Sequence, residues 1–151
     1  MELSSSRVET AVDSGAGIII MTGGDEGNRL TPDLLAGLNK AVHTHEDNPE
    51  VRFILLRSRG RNFCLGMDLE AFLANSDDAA FEKEIKAYAG LLADLNDCRK
   101  TTLAVVEGGV KAGGVGLVAA CDIVVAADDV EVDTVVVVDA DGGVAVDAVV
   151  V

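Results

Sequence analysis

The chain is 151 residues long, with 12 Lys or Arg against 26 Asp or Glu and a formal charge of −14. Apolar residues make up 49%, yet the aromatics are only four Phe and one Tyr, so any core is aliphatic. This is a globular composition of single-domain length, not a disordered one. An acidic chain without a basic run repels phosphate backbones and anionic membrane surfaces, whose affinity rests on Lys and Arg, so neither nucleic acid nor membrane is an expected partner.

Met1 to Arg7 is polar, with no apolar run and no small-residue cleavage site, and a cytoplasmic location is expected. Cys64, Cys98 and Cys121 fit neither a disulfide framework nor a C-x-x-C metal knuckle, which leaves reduced thiols.

In chain order, Arg7 to Val12 alternates in polarity and Gly17 to Thr22 is a β-branched run, predicting two successive strands. Thr31-Pro32-Asp33 supplies an N-cap hydroxyl, a Pro at N1 and a first-turn acid. Leu34, Leu35, Leu38, Ala41 and Val42 then follow at helical spacing, predicting an amphipathic helix that ends near His43 to His45. Val51 to Leu56 reads as a strand running into a loop at Ser58 to Asn62. Phe81, Ile85, Tyr88, Leu92 and Leu95 predict a second helix. Thr102 to Val106 is a buried strand, Gly108 to Gly116 a glycine-rich turn, Leu117 to Ala120 a short helix and Ile123 to Ala126 another strand. Strands alternating with helices imply an α/β fold with parallel pairing.

Two segments carry chemical potential. Phe63-Cys64-Leu65-Gly66-Met67-Asp68 follows a strand-loop unit, and Leu69-Glu70-Ala71-Phe72 after it is expected to open a helix; a Gly in such a turn lets backbone amides face a ligand. Glu107 to Gly116 brings glycines to a helix start, where unpaired amides stabilise developing negative charge or, equally, permit close packing. Gly114-Val115-Gly116-Leu117-Val118-Ala119 also satisfies G-x-G-x-x-A, but Gly108 to Gly113 separate it from its strand, which weakens a dinucleotide reading.

Taken together these pieces resemble the crotonase, or enoyl-CoA hydratase/isomerase, superfamily, from Gly17 to about Asp129. Asn28-Arg29-Leu30 is similar to the family's Asn-Ala-Leu segment and Phe63 to Asp68 to its F-x-x-G-x-D element. Lys100 to Gly108 is similar to its K-P-x-x-A-x-x-x-G strand. Ala112-Gly113-Gly114-Val115-Gly116-Leu117 and Cys121-Asp122-Ile123 fall where the family has its glycine-rich helix start and its Cys-Asp-Ile. The resemblance implies a fold of repeated ββα units, here truncated at the C-terminus, with a core at residues 1–129 and an atypical tail at 130–151. It also implies a trimer or hexamer for a full-length chain.

The chemistry implied is that of a lyase acting on an acyl thioester, carried on CoA or on an acyl carrier protein. Negative charge on the thioester oxygen would be held by two backbone amides, carried over to Leu65 and Gly113. Substrate contacts are carried over to Asn28, Cys64, Gly66, Met67, Asp68 and Gly114. No metal or separate cofactor is implied, since CoA or phosphopantetheine is part of the substrate. The family's hydratases commonly have a Glu three residues after the position of Gly113, where this chain has Gly116. A second Glu, about twenty residues on, falls in register on Val136. Gly at the first of these positions is shared with the dehydratases of polyketide β-branching, which act on 3-hydroxy-3-methylglutaryl on an acyl carrier protein, and Val110 to Ala120 is similar to theirs.

Asp68, Glu107 and Lys111 are the titratable groups within the two motifs, and none is assigned as the base. His43 and His45 read as a solvated helix end, and Cys64 and Cys121 as inert core thiols. Counting from Asp139, a calcium loop would need Gly and Glu where Val144 and Val150 stand. Val130 to Val151 draws only on Val, Asp, Ala, Gly, Glu and Thr134; all but Thr134 have codons beginning with G, as a shifted reading frame in a GC-rich gene would give. Strands are expected at Val135 to Val138 and in Val144 to Val151. Three readings follow: an acyl-thioester lyase, a catalytically silent fragment that binds an acyl carrier protein or partner subunit, and the weaker dinucleotide-binding domain.

Overall fold

Gly17, Ile19 and Met21, every second residue of an apolar run, turn inward, while the strand before it buries only Val8. Strands β1 (Val8–Asp13) and β2 (Ala16–Met21) form an antiparallel hairpin around the two-residue turn Ser14-Gly15, with φ of 52° and 89°. The computed structural model describes residues 7–68, 70, 74 and 78–133, with the backbone of 137–138 and 144–145. From β2 the chain builds a sheet in the order β1-β2-β3-β5-β7, where β3 is Phe53–Ser58, β5 Thr101–Val106 and β7 Ile123–Ala126. All pairings after the first are parallel.

A second, short parallel sheet runs β4-β6-β8, with β4 at Asn62–Cys64, β6 at Gly109–Lys111 and β8 at Val132–Asp133. Each of its strands follows a strand of the large sheet, so the chain repeats a strand-strand-helix unit, as expected for the α/β reading. Strands β9 (Val137–Val138) and β10 (Val144–Ala145) pair antiparallel within the tail; residues 135, 136 and 146–151 of the expected tail strands lie outside the described residues.

Helix α1 (Pro32–Asp47) starts as its sequence dictates, with Thr31 Oγ1 accepting a hydrogen bond from the Leu34 amide at 3.3 Å. Its buried stripe, Leu34, Leu35, Leu38, Ala41 and Val42, covers the inward side chains Ile19, Ile54, Leu56 and Ala104 of the large sheet. Helix α2 (Asp78–Asn96) adds Leu91 and Leu95 to the same core. Each such aliphatic side chain removed from water contributes about 1.5–3 kcal/mol. Ile19, Leu38, Val42, Ile54, Leu56 and Leu91 are among the residues that border a void of about 10 Å³, a packing gap and not a ligand site.

Three sequence expectations shift. Strand β3 begins at Phe53 and not Val51, because the Val51 amide closes a turn onto Asn48 O and Arg52 donates to Gly15 O. The glycine-rich turn resolves into β6 and a helix, α3 (Gly113–Ala119), that starts four residues before the expected Leu117. Helix α1 runs on past His43 to Asp47, and His45, expected in solvent, is only 3% exposed. Of the helix expected at Leu69 to Phe72, Glu70 is helical and the rest lies outside the described residues.

The end of α1 is held by charge. Lys100 Nζ donates to the carbonyls of His45 at 2.7 Å and Asn48 at 2.5 Å, placing a cation at the helix's negative pole. His45 lies beneath this contact with Nε2 3.2 Å from Ile18 O, and its buried Nδ1 has no hydrogen-bond partner among the described residues. Burial, more than the Lys100 charge, pulls its pKa below the ordinary value. The folded chain therefore refuses a proton that the unfolded chain accepts near pH 6.5, so stability is lost as pH falls through that range. The urea midpoint is expected to drop between about pH 7.5 and 5.5 in the natural chain, and to change less in H45Q.

Candidate functional site

The loop that leaves β4 is pinned from both sides. On one side, residues 27–30 run beside it: Leu65 N donates to Gly27 O at 2.8 Å and Leu30 N to Gly66 O at 3.1 Å. Asn28 holds the pair together. Its Nδ2 donates to Phe63 O at 2.9 Å, and its Oδ1 accepts from Gly23 N at 2.8 Å. Asn28 is 1% exposed with φ of +43°, a left-handed conformation that Asn tolerates better than most residues.

On the other side, the loop meets the start of α3. Gly114 lies so close to the Cys64 carbonyl that any Cβ there would overlap backbone. Gly66 has φ of +82°, and a Cβ there would stand 2.8 Å from both Gly113 N and Ala112 Cβ. Ala112, at φ 50° and ψ −125°, makes the sharp entry into the helix without a side-chain cap. A non-Gly residue held there stores strain on the order of 1–3 kcal/mol.

The amides of Met67, Gly113 and Gly114 make no hydrogen bond among the described residues, whereas that of Leu65 is committed to Gly27. The assignment of Leu65 as one of two oxyanion donors therefore does not fit this geometry. Its N–H is spent on the fold, and the unpaired amide on that side of the gap belongs to Met67. The Gly113 amide, the other one assigned, opens α3 and has no partner among the described residues.

The other carried-over residues divide by what they touch. Asn28 spends its side chain on backbone groups and acts as a latch for the loop. Cys64 is buried, its thiol donating to Asn28 O at 3.2 Å, and burial raises its pKa to about 11. Cys121 is also buried and raised to about 12, so both remain thiols near neutral pH. Met67 is half-buried and Asp68 exposed at the outer end of the loop. Glu107 pairs with Arg57 at 3.0 Å and Lys111 with Asp133 at 2.8 Å, both on the surface. Asp122 ties β7 to β5, its Oδ2 accepting from Thr102 N at 2.8 Å and Thr102 Oγ1 at 3.1 Å. His43 and His45 do not converge: His43 Nε2 lies 3.0 Å from Asp94, while His45 turns to Ile18.

The helix stripe Glu84, Tyr88, Leu91, Leu95 faces the body of the protein at helical spacing. Tyr88 Oη donates to Gly113 O at 2.7 Å, and burial pushes its pKa up to about 12. One turn earlier, Glu84 Oε2 is buried without a partner among the described residues, and desolvation raises its pKa. The sequence showed Tyr88 only as a member of an apolar stripe. The available signal was chemical: a tyrosine on an inward stripe needs a partner for its hydroxyl.

Gly114 and Gly116 lie within α3, and β5 is followed by β6 and not by a helix, so the G-x-G-x-x-A match does not form a dinucleotide loop. The enoyl-CoA hydratase/isomerase family model matches residues 13–134, and the chain belongs to that family. A probable enoyl-CoA hydratase of Mycobacterium tuberculosis is 30% identical over 116 residues, covering 77% of this chain and 45% of the relative. An enoyl-CoA hydratase of Alternaria alternata is 33% identical over 126 residues, covering 83% of this chain and 41% of the relative. The crystal structure of a putative enoyl-CoA hydratase/isomerase from Legionella pneumophila superimposes with a TM-score of 0.79 at 25% identity, over 88% of this chain and 52% of that one. The chain thus spans about half the length of the relatives it matches. Among the described residues no helix is long and apolar enough to cross a membrane.

Replacing Asn28 by Ala leaves the Gly23 amide and the Phe63 carbonyl without their side-chain partners. N28A is expected to cost about 1–3 kcal/mol in urea unfolding, with the m-value unchanged.

Proposed function

We propose that the chain binds an acyl thioester, acyl-CoA in the first instance, and stabilises its enolate in hydration or dehydration of the α,β bond. The observation that carries this is the pair of unpaired amides, Gly113 and Met67, on two segments in direct contact. When water adds to the β-carbon, or the α-proton leaves, an electron pair moves onto the thioester oxygen. Two preoriented N–H groups receive that charge without reorganisation, each worth about 3–4 kcal/mol in the transition state. The family membership and the names of the relatives support the reaction class. Gly116 supports the dehydration direction, including a carrier-protein substrate, by its resemblance to the β-branching dehydratases.

A second reading is favoured by a specific feature. Position 116 has no side chain, so the chain brings two amides but no carboxyl at that point of the helix. A chain that binds the thioester without turning it over fits this arrangement. One experiment separates the two: the chain is mixed with a short 2-enoyl-CoA, and the conjugated thioester absorbance is followed alongside calorimetric binding. Loss of absorbance supports the lyase, and binding without loss supports the silent binder. Binding of NAD but not of acyl-CoA overturns both. Where turnover is seen, replacing the Gly113 residue by glycolate, which exchanges its N–H for an ester oxygen, is expected to lower kcat by about 10²–10³-fold.

A further inference from the structure

We propose that Tyr88 is the positioning residue of the thioester site: its hydroxyl, seated over Gly116 and bonded to the Gly113 carbonyl, fixes the first turn of α3. The proposal rests on the thioester reading above and adds to it the group that aims the Gly113 amide.

The need for such a group follows from the helix itself. Helix α3 is 7 residues long, three of them glycine, with no side-chain cap and an entry residue, Ala112, in a left-handed conformation. A helix this short and this rich in glycine does not hold its own first turn. Something outside must fix it: the Cys64 loop presses against Gly114, and Leu30 Cδ1 lies 2.8 Å from the Cβ position of Gly113. Tyr88 adds a directional bond to the Gly113 carbonyl, which an apolar contact does not supply.

Tyr88 is well placed for this. Helix α2 is anchored by Leu91 and Leu95 in the core, so the ring one turn earlier is carried on a rigid element. Its Oη donates to Gly113 O at 2.7 Å. The ring lies 3.5 Å from the Cβ position of Gly113, and Leu92 Cδ1 is 3.5 Å from that of Gly116. A Cβ on residue 116 would overlap the hydroxyl itself. The hydroxyl thus occupies the space that a side chain at 116 would take, and a glycine at 116 is the condition for the Tyr88 bond. The hydroxyl is protonated, and so a donor, throughout the neutral range, and burial raises its pKa further, to about 12.

The test uses the full chain with three variants, Y88F, G116A and Y88F/G116A. The readouts are the absorbance shift of a bound conjugated enoyl-CoA, which reports polarisation of its carbonyl, together with binding affinity and thermal midpoint. Y88F keeps the ring and removes the donor. It is expected to fold and to bind within about threefold of the natural chain, but with a smaller red shift and, where turnover is measurable, kcat lower by about three- to tenfold. G116A is expected to give the same spectral loss by displacing the hydroxyl, and to add little in the Y88F background. An unchanged spectrum in Y88F, or additive losses in the double variant, would overturn the positioning role while leaving the thioester reading intact. Failure of the natural chain to bind acyl-CoA would overturn that reading, and the proposal with it.

Discussion

Where the loop after β4 crosses the start of α3, two stretches of backbone touch with no side chain between them. The Cys64 carbonyl lies against Gly114, and Gly66 lies against the Gly113 amide. The rest of the site depends on this contact. A methyl group at 114 would push the loop off the helix, and with it the Met67 amide away from that of Gly113. Asn28 makes the contact durable by tying residues 23 and 63 together from behind, so a buried latch sets where the loop, and the Met67 amide on it, lie.

This arrangement gives each backbone N–H a definite use. Leu65 N–H goes to Gly27, where it builds the two-segment ladder, and Gly66 O receives the Leu30 amide. What remains unpaired sits one residue farther along and across the gap. Unpaired amides are costly in a folded protein unless something takes them up. A thioester oxygen gaining charge is suited to do so, and the helix pole behind Gly113 adds its field in the same direction. Glu107, in the turn before β6, is paired with Arg57 on the surface.

Much of this was legible in the sequence. Alternation at Arg7 to Val12 and short apolar, β-branched runs farther on located the strands of the large sheet, and Thr31-Pro32-Asp33 fixed the start of α1. The five motif segments, in order, pointed to the family. The misses share one physical origin, the priority of tertiary contact over local pattern. Helix α3 begins among glycines that propensity assigns to a turn, because the loop and Tyr88 hold them there. Strands β4 and β6 are 3 residues each, too short to show a period. His45 is buried because α1 continues under the Lys100 contact. The choice of Leu65 over Met67 turned on a single hydrogen bond to Gly27, a residue 38 positions before Leu65 in sequence and adjacent only in the fold.

The most direct test of the account is to follow backbone amide resonances while the chain is titrated with a non-reacting acyl-CoA. The Gly113 and Met67 amides are expected to move downfield together, saturating with one affinity, while Leu65 N–H stays with its Gly27 partner. Movement of Leu65 in place of Met67, or saturation with neither Gly113 nor Met67 displaced, would contradict it.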